Sequence, residues 1–142
     1  MYKTRMFILL AVSAAAVLLL LSAFWLKFRW PGWEFALGIS SLSDERRGQI
    51  DAVRLRRYLS AVFYAFSAVF FLFFLFLMLK TLPQKTVLAF CFPVLALFLD
   101  AVVLVYRHFD SADYSLLSRR AGLVCMVCVN LLFLGLFFFF LL

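Results

Sequence analysis

Asp100 is the residue of this 142-residue chain best placed to do chemistry, because it sets a carboxyl among Leu97, Leu99, Val102 and Val103. A carboxylate near the middle of an apolar helix is costly, so it faces protein or water and marks a candidate functional site. Counting about 1.5 Å of rise per residue from the nearer ends of the apolar runs, Asp100 and Tyr64 lie about 9 Å deep, and Ser67 and Asn130 about 14 Å deep. Those four side chains fit one polar layer, which has two readings. As chemistry it is a proton or ion relay. As structure it is an interhelical hydrogen-bond set in which Asp100 donates to Asn130 or accepts from the Tyr64 hydroxyl. The structural reading carries more weight, because no second charged residue inside the apolar runs completes a pathway.

Other chemistry-bearing spacings are weaker. Cys125-x-x-Cys128 has redox or metal spacing but falls inside an apolar run, and Cys91 supplies no second pair for a tetrahedral zinc site. His108, Asp110 and Asp113 offer one imidazole and two acids between runs, a combination common by chance. The chain shows no nucleophile with a paired base, no glycine-rich phosphate loop and no paired carboxylates. The expectation is a protein without catalytic activity, cofactor or resident metal.

The elements that position these residues are four apolar runs, Met6 to Leu26, Tyr58 to Leu79, Thr86 to Tyr106 and Ala121 to Leu142, and Asp100 is the one charge within them. About 20 residues suffice for a helix to cross a hydrocarbon core of about 30 Å. Without water there, backbone N–H and C=O groups pair within each segment, so every run is expected to be helical. The composition agrees, with 68% hydrophobic residues, 15% charged and a mean hydropathy of +1.09. The fold class that follows is an all-α integral membrane four-helix bundle, a single domain over residues 1–142. An interfacial, partly helical segment over 27–57 separates the first two spans. The first run exceeds the apolar core of a secretion signal, and Leu21 stands where a small residue is wanted before Ala23, so it reads as an uncleaved anchor.

A net charge of +7 would suggest nucleic acid in a soluble protein, but here the basic residues crowd the helix ends, and no nucleic-acid partner is expected. Lys and Arg number ten on the side holding the first and third loops and four on the other. That bias puts loops 27–57 and 107–120 in the cytoplasm and the termini outside. The first helix alone decides nothing, since Lys3 and Arg5 balance Lys27 and Arg29.

The first loop turns at Trp30-Pro31-Gly32-Trp33, where proline and glycine break helix and tryptophans suit the headgroup zone. Ser43 before Asp44 and Glu45 has the composition of a helix start, from which the chain is expected to run helically into the second span. Trp25, Trp30, Trp33, Arg46, Arg47, Arg54, Arg56 and Arg57 form the expected membrane-interface set, with Ile50, Val53 and Ala52 touching the bilayer surface and Arg46, Arg47 and Arg54 reaching phosphates. On the second run, Ser60, Tyr64 and Ser67 share a face that should line the interior, close to Ala61, Ala65 and Ala68. Phe70, Phe71, Phe73, Phe74 and Phe76 should cover more of the lipid side.

The stretch from Gly38 to Glu45, continuing through Asp51, Leu55, Arg57 and Tyr58, resembles a family of small uncharacterised bacterial integral membrane proteins. Members carry a Gly-Tyr-Asn-Thr-like turn, a small hydrophobe, Ser, an acidic and basic run, Asp, and a Leu-x-Arg-aromatic lead into the next helix. Here Ile39, Ser40 and Ser41 replace the Tyr-Asn-Thr portion, and the fourth helix is an addition to the usually shorter family. The resemblance implies a bacterial cell membrane and supplies no substrate, cofactor or catalytic residue.

The functional expectation is a non-enzymatic bacterial inner-membrane protein that binds a membrane-protein partner or a second copy of itself in the bilayer, an immunity protein against a membrane-targeting toxin being its concrete form. The rivals are a small oligomeric transporter or channel using Asp100 and a structural subunit of a membrane complex. Four-helix small multidrug transporters carry an acid in their first helix, and this chain has none there. The charge count is checked by thiol labelling after the native cysteines are replaced. Ser43→Cys and Ser111→Cys should resist an impermeant reagent in intact cells while Gln84→Cys reacts; the reverse pattern inverts the topology.

Overall fold

The computed structural model describes residues 2–36, 39 and 41–142. Gly38 and Ser40 of the loop motif lie outside the described residues. Among the described residues, six helices follow in order: α1 (Tyr2–Lys27), α2 (Trp33–Ala36), α3 (Asp44–Gly48), α4 (Ala52–Met78), α5 (Gln84–His108) and α6 (Leu116–Leu141). Four of them, α1, α4, α5 and α6, are long and apolar enough to span a membrane, so the chain is a multi-pass membrane protein with an all-α four-helix fold. Each exceeds its apolar run because polar residues at the ends extend the helix past the hydrocarbon.

The helix ends follow local chemistry. The Ser43 hydroxyl caps α3 by accepting from the Arg46 amide, Asp51 caps α4 through the Arg54 amide, and Ser115 caps α6 through the Ser118 amide. At the other ends, the Trp30 amide reaches back to the Trp25 carbonyl and the Thr81 amide to that of Phe76. Both closures place a residue in the left-handed region, Arg29 at φ 52 and Lys80 at φ 55. The expected continuous helix from Ser43 into the second span is broken. Asp51 donates its amide to Phe109 and caps α4 with its side chain, so the chain bends at Gln49 to Asp51.

The helices make their main contacts in the order α1 with α4, α4 with α5, and α5 with α6. Small residues explain the closest pair: Ala16 and Ala23 of α1 are buried, and the carbonyl of each accepts from a serine hydroxyl of α4. One apolar cluster joins Val12, Ala16, Phe70, Leu77, Val87 and Cys91 across α1, α4 and α5. A second gathers Leu26, Ile39, Ile50, Leu55 and Leu59 under the first loop, with Trp33 packed against it. Phe70, expected toward lipid, is 3% exposed in the first cluster, and Phe73 and Phe74 pack against it; Phe71 and Phe76 alone of the five are exposed. Ile50, expected at the membrane surface, is buried. α6 contributes no buried residue and lies along α5.

Ser67→Ala should lower stability in detergent by about 0.6 kcal/mol, the size of an average intramembrane hydrogen bond. Phe70→Ala should cost about 3–5 kcal/mol, because it also opens a cavity. Reversible unfolding in mixed micelles measures both, and equal small losses would contradict the burial of Phe70.

Candidate functional site

Polar side chains gather within the spanning helices and again where the loops meet. Inside, Asn130 of α6 donates through Nδ2 to both carboxylate oxygens of Asp100 on α5, at 3.0 and 2.9 Å, and to the Met126 carbonyl at 2.9 Å. The amide, and not the carboxyl as expected, is the donor, and it ties Asp100 to α6 and to its own preceding turn. Asn130 also lines a groove of about 510 Å³ between α5 and α6, together with Pro93, Ala96, Leu97 and Met126.

Tyr64 and Ser67, expected in the same layer, turn to the other side of the molecule. Ser67 Oγ donates to the Ala16 carbonyl of α1 at 2.8 Å, and Ser60 Oγ to that of Ala23 at 2.9 Å. The Tyr64 ring meets Phe24 of α1 edge-on at 5.5 Å. The four residues therefore form two sets: Asp100 with Asn130 on α5 and α6, Tyr64 and Ser67 against α1. Depth counted along a helix axis says nothing about which neighbour a face meets. Ala61, Ala65 and Ala68 are exposed beside the serine face.

At the border, the first and third loops clasp one another. Ile50 and Asp110 face each other as an antiparallel bridge, and Gln49 accepts at its carbonyl from the Ser111 amide at 2.9 Å and hydroxyl at 2.6 Å. Arg46 donates from Nη1 to Asp110 Oδ1 at 3.2 Å and Gln49 Oε1 at 2.9 Å. Its Nη2 donates to Asp110 Oδ2 at 3.1 Å and to the Tyr114 hydroxyl at 2.9 Å. Tyr114 in turn donates to Asp110, whose Oδ1 also accepts from the Ala112 amide. The Asp110 side chain is 0% exposed and that of Arg46 31%.

Burial alone would raise the Asp110 carboxyl, but hydrogen bonds from Tyr114, Arg46 and the Ala112 amide, with the Arg46 charge, hold it below its ordinary value. The same contacts, with Asp110 foremost, raise Arg46.

This geometry redistributes the expected membrane-interface set. Arg46 is engaged by Asp110. Arg47 Nε donates to the Ile39 carbonyl at 3.1 Å, and Arg54 pairs with Asp51 at 3.4 Å on the surface. Arg56 sends Nη1 to the Leu26 and Lys27 carbonyls at 2.5 and 2.6 Å, closing the end of α1, and its guanidinium lies 5.8 Å from the Trp33 ring. Unpaired carbonyls at a helix end attract such a donor, which outcompetes a distant phosphate. Arg57 is exposed, and Trp30 is 54% exposed. Trp25 Nε1 donates to the Trp30 and Pro31 carbonyls at 3.1 and 3.0 Å, folding the turn back on α1. Gly32 sits at φ +85, where any other residue would be strained.

Sequence reasoning weighed Asp110 as a metal ligand and missed it, with Tyr114, Gln49 and Ser111, as the partner of loop one. The signal was slight: an acid in a strongly basic region, four residues before a tyrosine. Cys125 and Cys128 are exposed free thiols on α6, Cys91 is buried on α5, and His108 stacks edge-on against Phe109 at 4.9 Å. No family model, curated protein or solved structure matches the chain.

Because the native Asp110 value lies below the unfolded value of about 3.9, its contribution is complete above that pH and is lost as pH falls through the native value. Melting in detergent should therefore show an acid-side loss of stability that shrinks in Asp110→Asn, and an unchanged acid slope in that variant would contradict the clasp. Inside the membrane, Asp100→Leu should cost about 1 kcal/mol by unpairing Asn130, with Asp100→Asn milder. Equal melting of wild type and Asp100→Leu would point to a carboxylate without a protein partner.

Proposed function

We propose that the protein is a non-enzymatic membrane protein that works by packing a helix face against another membrane-embedded protein, with an immunity protein against a membrane-targeting toxin as its concrete form. The reading includes a bacterial inner membrane, as the loop resemblance implies, with loops 27–57 and 107–120 in the cytoplasm. The observation that carries it is α6: no residue of this apolar helix is buried, and its main contact is with α5. Ala121, Cys125, Cys128 and Gly135 recur at helical spacing on its exposed side, and a Cβ added at Gly135 would meet nothing within 4 Å. Small residues on an open face allow close helix approach, which is how helices associate where lipid offers no hydrophobic drive.

The Asp100–Asn130 pair supports the same reading over transport. Both carboxylate oxygens accept from a single amide, and the serines of α4 are engaged by α1 carbonyls. Such an arrangement fixes α6 in register on α5, whereas a relay needs a carboxyl that exchanges its proton along a polar path.

A photo-crosslinking residue at Leu132, on the small-residue face, should give a discrete protein adduct in native membranes that disappears in Gly135→Leu. Adducts to lipid alone would contradict the proposal. In proteoliposomes under a pH gradient the protein should be silent, and proton or cation flux abolished by Asp100→Asn would replace this reading with transport.

A further inference from the structure

Where α1 ends and α4 begins, Lys27, Arg56, Arg57, Ser60, Ala61 and Tyr64 line a pocket of about 410 Å³. Three cations and no carboxylate face it, and Arg29 adds a further positive charge acting on Arg56. The other basic pocket of this end, about 640 Å³ between α5 and α6, holds Arg107 and Arg119 but also Asp110, whose carboxylate opposes an anion.

Within the smaller pocket, existing contacts separate bound from available groups. Ser60 is engaged with the Ala23 carbonyl and Arg56 Nη1 with the end of α1. Arg56 Nε is a buried donor with no hydrogen-bond partner among the described residues. Lys27 holds its ammonium over the Phe28 and Tyr64 rings at 5.7 and 5.8 Å, contacts that leave its N–H donors unused. Arg57, exposed at the rim, precedes Tyr58, the first residue of the apolar run. The pocket therefore opens where hydrocarbon gives way to headgroups, with Ala61 and the Tyr64 ring on its apolar flank.

We propose that this pocket binds the phosphate of an anionic phospholipid, with Lys27 and Arg57 as the charged contacts and the Tyr64 hydroxyl as a further donor. An unneutralised cation cluster demands a counter-ion, and basic pockets between membrane helices at headgroup depth select anionic lipids. The source is the lipid and not a soluble phosphate, because the apolar flank matches the first carbons of an acyl chain.

The test is retention of phosphatidylglycerol by the full chain, titrated in mild detergent and read by native mass spectrometry. Wild type should hold the lipid, and Lys27→Gln combined with Arg57→Gln should weaken apparent affinity about tenfold or more. Arg119→Gln, which removes a charge from the other basic pocket, should change it by less than about twofold. Arg57→Lys, which keeps the charge, should retain the lipid, so a folding defect is distinguished from loss of the site. Failure of wild type to retain phosphatidylglycerol, or equal weakening by Arg119→Gln through diffuse attraction, would overturn the proposal. Displacement of the lipid by inorganic phosphate at the same concentration would overturn its lipid source.

Discussion

Four side chains that donate into the backbone carbonyls of a neighbouring helix hold α1 and α4 together from end to end. Arg56 closes the last turn of α1 at Leu26 and Lys27, Ser60 and Ser67 reach the Ala23 and Ala16 carbonyls, and Arg5 reaches Leu77 near the end of α4 at 3.0 Å. The two helices are antiparallel, so each lends an arginine to the other's C-terminal turn. A hydrocarbon surround makes this arrangement effective, because a donor without a partner there has no water to fall back on. Alanines at 16 and 23 bring the backbones near enough for a serine to bridge them.

From that pair the rest of the molecule follows outward. α5 packs on α4 through Val87 and Cys91 in one cluster and through Phe63 and Phe66, which meet Phe98 at 5.1 and 5.2 Å. Its end is then fixed by the clasp between the loops, where Arg46 and Asp110, 64 residues apart, neutralise each other at the membrane border. α6 comes last and makes its main contacts with α5 alone. Its Asn130 pairs with Asp100, Phe92 stacks on Phe140 at 5.2 Å, and Gly122 leaves room for the Arg107 guanidinium, which a Cβ there would meet. A helix so attached keeps most of its surface free for lipid or for another protein, which is the physical basis of the interaction reading.

Much of this was legible in the chain. Uninterrupted apolar length announces the four spans, Ser43 with its following acids announces a helix start, and the isolation of Asp100 predicts a polar partner that Asn130 supplies. What was illegible has one cause: position along a helix is readable from sequence, but the neighbour a face meets is not. Tyr64 and Ser67 were expected in one polar layer with Asp100 yet face α1, and Phe70 sits in a phenylalanine-rich stretch yet is buried. The partners of the arginines were illegible for a related reason. Interface arginines suit lipid phosphates in general, but Arg46 and Arg56 lie beside stronger acceptors, a carboxylate and two helix-end carbonyls, that only the fold brings near.

The hierarchy of attachments, with α1 stitched to α4 and α6 leaning on α5, is open to mechanical measurement, because α1 and α6 are the first and last helices and a force applied through the two termini loads both alike. Single-molecule pulling on the bilayer-embedded protein should extract α6 first at low force, with the α1–α4 pair separating last. Release of α1 before α6, or loss of all four helices in one step, would contradict that order and the stitched pair on which it rests.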